Sequence, residues 1–138
     1  MNGNATLEEN ICDFASFQTA YSIFRSLVEE DSVEELLPLP GLGAYSTEQV
    51  FFIRYAQLWC EVATREGHLK SLQDNHSPGR FRANGGKRGR EVLKLNIFPK
   101  NLPLLVLMNS HSFSRAFNCS STARMNPPEK CDLWSAGH

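Results

Sequence analysis

Two acids near the start of the chain stand at a spacing that suits joint work. Glu9 and Asp13, in the string EENICD, are four apart, so on a helix they share a face. A second cluster, DNHSPGRFR, spans residues 74–82. Asp74 precedes His76 by two positions, Pro78 and Gly79 form a tight turn, and Arg82 follows six residues beyond the histidine. An acid beside a histidine fixes its tautomer and holds its charge. A fixed His and Arg stabilise a developing oxyanion or grip a peptide carbonyl. Taken singly, the two strings also read as solvated acids on a helix and as a loop with a surface histidine.

The elements that must position these groups read as mainly helical. Leu7, Ile11, Phe14, Tyr21, Phe24 and Val28 recur at helical spacing, which predicts a helix from about Thr6 to Glu30. Thr6 with Glu9 predicts a capping box at its start. Pro38, Pro40, Gly41 and Gly43 then enforce a loop over Glu34–Gly43. Ser46 with Gln49 predicts a second capping box, opening a helix whose body is VFFIRYAQLWCEVA. That body is apolar nearly all round, the mark of a helix buried inside something larger. A shorter helix is expected over Glu66–Gln73, with helix broken at Pro78 and Gly79. Lys87–Met108 shows neither clean helical nor clean strand periodicity. A last helix is expected over Ser110–Phe117, followed by a Pro-rich, turn-like tail. No internal repeat is present.

Composition limits the function classes. The 138 residues suffice for one domain of ordinary size, and 41% are hydrophobic, which suits a globular core. Nine Phe make that core aromatic-rich. Fourteen basic and fifteen acidic residues leave a net charge of -1. That balance argues against nucleic acid as a partner and against a polybasic membrane-surface protein. No apolar run is long enough to span a bilayer. MNGNATLEEN has no basic n-region and no apolar h-region, so it is not a signal peptide. An export signal, for a secreted protein, is expected in sequence that is missing here.

The two clusters occur in one order with FFIRYAQLWC between them. In that combination the chain resembles the zinc peptidases of the neprilysin and endothelin-converting family, peptidase family M13. That family carries NxTxGENIAD, FFxxFAQxWC, DxHSPxxxR, NxxxFxxAFxC and MNPxxxCxxW. Here the strings are NATLEENICD, FFIRYAQLWC, DNHSPGRFR, NSHSFSRAFNC and MNPPEKCDLW. The match covers nearly the whole chain except Lys87–Met108. The resemblance implies the C-terminal helical part of a larger zincin-type catalytic domain. It implies that Glu9 is the third zinc ligand and Asp13 the acid that orients a zinc-bound histidine. His76 would stabilise the oxyanion with support from Asp74, and Arg82 would hold the substrate backbone. Leu58 and Trp59 would line the apolar pocket for a substrate side chain, with core packing the other reading of Trp59. The implied cofactor is one zinc ion, and the implied partners are peptide substrates at an extracellular or cell-surface location.

One half of that chemistry is not in the sequence. The four histidines, at 68, 76, 111 and 138, include no HExxH string. The chain alone is therefore expected to be inactive, with upstream catalytic sequence needed to complete the site. The alternative is a truncated, non-catalytic secreted protein that binds peptides or a partner. Another alternative is a small disulfide-stabilised module with accidental similarity. Residues 87–108 are expected to be an irregular insertion. Gly86-Lys87-Arg88 is what translation through a splice donor yields, so retained intron sequence is favoured over a genuine loop. Cys60, Cys119 and Cys131 match family cysteines that bond to upstream partners, while a local Cys119–Cys131 bridge also fits the spacing. Cys12, where the family has Ala, is expected to be an unpaired core residue. Asn4, Asn75 and Asn118 each begin an N-x-S/T sequon, and the one beside His76 is expected to be unused.

Overall fold

The computed structural model describes residues 5–30, 40–83 and 106–130. Among them, six helices and no strand occur: α1 Leu7–Glu29, α2 Thr47–Gln57, α3 Arg65–Ser71, α4 Gly79–Ala83, α5 Val106–Asn109 and α6 His111–Ala116. The mainly helical reading therefore holds.

Helix α1 buries Asn10, Phe14 and Phe17 on one stripe. Its start departs from expectation. Thr6 makes no side-chain cap. Its backbone, at φ -101° and ψ 0°, is not the extended form that aims a capping hydroxyl at the first turn. Thr6 is instead fully buried, and its Oγ1 accepts from Asn10 Nδ2 at 3.2 Å. Glu9, the other half of the expected box, faces His76.

The second box forms as expected. Gln49 N donates to Ser46 Oγ at 3.2 Å, and Ser46 N donates to Gln49 Oε1 at 3.0 Å. Gln49 Nε2 also donates to Ala116 O at 2.8 Å, tying α2 to the end of α6. Helix α2 stops at Gln57, six residues short of the expected end at Ala63. Leu58, Trp59 and Cys60 each donate to a carbonyl three residues back, tightening the chain into a turn. Leu58 and Val62 are left exposed.

Pro78 and Gly79 do not end a helix but begin one. Pro78 O accepts from Phe81 N at 2.7 Å, and α4 starts at Gly79. Proline is tolerated there because a first-turn N–H has no helical partner to lose. Most of the expected 87–108 insertion lies outside the described residues. Its last three, Val106, Leu107 and Met108, are buried in α5.

The core joins α1, α2 and α5. Phe14, Phe17, Phe52, Val106 and Leu107 form its centre, with Phe113 and Phe117 of α6 packed against it. Phe52, 1% exposed, meets Phe113 edge-on at 5.5 Å. Phe81 and Met108 form a smaller cluster that shares Met125 with the first. Through it α4 is anchored to α5, and so to the helix that carries Glu9 and Asp13. Cys12 is exposed, contrary to the expected core position. It sits two residues before Phe14 and so points away from the buried stripe.

Candidate active site

The buried stripe of α1 fixes where its acids go. Glu9 precedes buried Asn10, and Asp13 precedes buried Phe14, so both carboxylates emerge at the same edge of the core. The segment from Asp74 to Arg82 lies against that edge, and it makes two pairings of different character.

Asp13 and Arg82 form the inner pair. Arg82 Nε donates to Asp13 Oδ2 and Nη2 to Oδ1, both at 2.6 Å. Their side chains are only 12% and 16% exposed. The fork geometry suits Arg and excludes Lys. Arg82 Cζ also stacks over the Trp59 ring at 3.9 Å. The Asp13 hydrogen bonds push the guanidinium pKa further up, so the charge is fixed.

Glu9, His76 and Asp74 form the outer set. His76 Nε2 lies 3.2 Å from Glu9 Oε2, and Nδ1 lies 2.9 Å from Asp74 Oδ1. The same Asp74 oxygen accepts the His76 backbone N–H at 2.8 Å, closing an Asx turn. These bonds, the backbone one foremost, hold the Asp74 carboxyl below its usual pKa. The imidazole is thus held between two carboxylates. Glu9 and His76 are 36% and 45% exposed, so water reaches this pair.

A cleft of about 230 Å³ runs between the two segments and brings Leu58, Trp59, Asp74, His76 and Arg82 onto one wall. Leu58 stands at its rim, exposed. Trp59 is half-buried, and among the described residues its indole N–H has no partner within hydrogen-bond distance. Glu9 and Asp13 meet this wall through His76 and Arg82 rather than lining it themselves.

Three residues escaped the sequence reading. Glu61 Oε1 accepts from Gly79 N at 3.2 Å, bracing the start of α4. A Cβ on Gly79 would lie 2.5 Å from Trp59 O, so only glycine lets the two segments approach this closely. The Pro-Gly dipeptide was the available signal, but it was read only as a turn. Tyr55 stands where the family string has Phe. Burial, with the Asp13 charge second, pushes its hydroxyl pKa up to about 12. Among the described residues its hydroxyl has no partner within hydrogen-bond distance.

A catalytic zinc takes three protein ligands and keeps one position open. Among the described residues, no group of three or more His, Cys, Asp or Glu side chains converges to hold a metal ion. Glu9 offers one carboxylate, and that carboxylate faces a histidine expected to act on the substrate. The donor set of the described residues does not by itself fit zinc. Cys12, Cys60 and Cys119 are free thiols, and Cys131 lies outside the described residues. No disulfide is formed among the described residues.

Comparison with known proteins agrees with the motif reading. Residues 1–91 match the family model described as Peptidase family M13. Human endothelin-converting enzyme 1 is 36% identical over 135 residues, covering 97% of this chain and 14% of the relative. Human neprilysin is 35% identical, covering 97% of this chain and 15% of the relative, and neprilysin-3 of Drosophila melanogaster is 34% identical, covering 97% of this chain and 14% of the relative. The chain thus spans about one seventh of the length of the curated relatives it matches. With the family model matching 91 of its 138 residues, the chain belongs to peptidase family M13.

Proposed function

We propose that this chain is the C-terminal part of a zinc-dependent metalloendopeptidase that hydrolyses peptide bonds of small peptides. It contributes the third zinc ligand, Glu9, together with the oxyanion and substrate-binding groups. The HExxH ligands and base come from sequence outside these 138 residues. The observation that carries this reading is the joint placement of the Asp13–Arg82 pair and the Glu9–His76 pair beside one cleft. Arg82, held flat by Asp13 and Trp59, donates to a peptide carbonyl from a fixed position. His76, steered by Asp74, presents Nε2 as a donor to a developing oxyanion. Leu58 and Trp59 offer apolar surface to a substrate side chain. The natural setting is extracellular or at the cell surface, although among the described residues no helix is long and apolar enough to cross a membrane.

Peptide hydrolysis by the purified chain, with and without chelator, tests the division of labour. We expect no chelator-sensitive turnover and no stoichiometric zinc. An in-frame HExxH in the upstream genomic sequence is the matching positive result. Chelator-sensitive cleavage by the 138-residue chain alone would overturn the reading. The absence of a three-ligand cluster among the described residues also favours a second reading for the isolated chain, a non-catalytic peptide or partner binder. Saturable peptide binding without turnover, unaffected by zinc, marks that case.

A further inference from the structure

The end of α6 is closed by a backbone motif that sets Asn118 at a surface corner. Asn118 N donates to Arg115 O at 3.0 Å, and Cys119 N donates to Ser114 O at 2.8 Å. These are the two bonds of a Schellman closure. Such a closure needs one left-handed residue at its corner, and Asn118 has φ of 47°. Glycine and asparagine are the residues that accept this conformation at least cost. The cap therefore accounts for Asn at 118, but it says nothing of the serine two residues on.

Asn118-Cys119-Ser120 is an N-x-S acceptor sequence. Asn118 and Ser120 are both exposed. The turn that follows is tied down, because Asn126 Nδ2 donates to Cys119 O at 3.1 Å and to Ser120 O at 3.2 Å. The sequon is thus displayed on an ordered surface corner. Helix α6 packs on α2 and α5, whereas the cleft is lined by residues 58–61, 71, 74, 76–79 and 82. Asn118 is not among the residues that line it. The Asn75 sequon differs, since its Ser77 is 3% exposed with a buried Oγ, and Asn75 adjoins His76.

We propose that Asn118 carries an N-linked oligosaccharide; this rests on the extracellular setting proposed above. The Asn118 amide nitrogen bonds to C1 of an oligosaccharide carried on a lipid diphosphate. The C1–O bond to the diphosphate breaks, the lipid diphosphate leaves, and the amide nitrogen gives up one proton. The product is a neutral, hydrated cover over the exposed end of α6.

The test expresses the full chain behind a cleavable export signal in a glycosylating host. Secreted protein is treated with peptide N-glycosidase, which frees the glycan and leaves Asp, and position 118 is read by mass spectrometry. We expect Asp at 118 in the wild-type chain, and loss of one glycosidase-sensitive mobility step in both Asn118→Gly and Ser120→Ala. Glycine suits the left-handed corner, so Asn118→Gly keeps the cap. Ser120→Ala leaves the cap untouched, since the cap bonds are backbone ones and the hydroxyl pairs with exposed Thr122. Secreted chain with an unmodified Asn118, or the wild-type pattern in both variants, overturns the proposal alone. Native chain found only in the cytosol overturns the extracellular setting, and the proposal with it.

Discussion

Replacing Asp13 by Asn tests whether the inner pair is an energetic clamp. In the native pair two carboxylate oxygens each accept a guanidinium N–H at 2.6 Å, in a place water scarcely reaches. Asparagine keeps the shape but offers one acceptor, and its NH₂ confronts the other guanidinium nitrogen. One charge-assisted hydrogen bond, worth about 1.5–3 kcal/mol, is lost. A nearly buried cation is also left without its counter-ion, and truncating one member of a buried pair costs about 3–5 kcal/mol. Because a little water still reaches the pair, we expect the lower end, about 3 kcal/mol. Arg82→Met removes the cation and leaves an apolar stem on Trp59. Urea unfolding of the wild type, both single variants and the double variant closes a mutant cycle. We expect a coupling energy of about 2 kcal/mol, within the range for residues sharing one hydrogen-bond network. A coupling below about 0.5 kcal/mol, the scatter of independent sites, would refute the reasoning.

Phe52→Ala should cost about 3–5 kcal/mol, because the ring is 1% exposed and meets five other aromatic rings. Far-UV circular dichroism should show a largely unfolded chain, and native helicity at 37 °C would contradict it. Gly79→Ala should cost about 1–2 kcal/mol in urea, the Cβ contact with Trp59 O outweighing the entropy gained by losing glycine. A variant as stable as wild type would show that the segments can part freely. Tyr55 makes stability fall at alkaline pH. Its folded pKa, about 12, lies above the ordinary 10, so the contribution is complete below pH 10 and is lost as pH rises toward 12. The loss is on the order of 2 kcal/mol. Tyr55→Phe should remove this limb, and equal slopes for both chains between pH 10 and 12 would contradict the burial of that hydroxyl.

Helix starts were legible where side-chain chemistry alone decides them. Ser46 with Gln49 is such a case, because Ser46 is exposed and Gln49 closes the box through its backbone N–H and Oε1, leaving Nε2 for Ala116 O. Thr6 with Glu9 fits the same pattern and fails, since Thr6 bonds to Asn10 and Glu9 is turned to His76. The end of α2 carries no glycine or proline, so nothing in LWCEVA marks the turn. Helix α5 lacked a period for a different reason. A four-residue helix buried on every side needs no polar face, and an apolar run of that kind has no helical signature. The site divides in the same way. Residue type and order singled out Glu9, Asp13, Asp74, His76 and Arg82. The pairing of Asp13 with Arg82, 69 positions away, depends on α4 docking against the core through Phe81 and Met108. The Glu61 brace and the Tyr55 hydroxyl depend on the same packing.

Glu9 and Asp13 thus do different physical work from the same helix face. Asp13 is held in a nearly buried, two-pronged pair, and separating it from Arg82 leaves charge where little water can solvate it. Glu9 meets His76 through one contact in reach of water. A pair of that kind contributes about 0–1 kcal/mol, so a ligand entering between its members displaces little. The inner pair therefore acts as a rigid floor that sets Arg82 against Trp59. The outer pair is an adaptable rim whose two groups remain available to whatever enters the cleft. An arrangement built this way keeps the geometry proposed to face substrate through core packing and the Asp13–Arg82 bonds. The groups expected to meet metal and oxyanion are the ones that packing leaves loosely engaged.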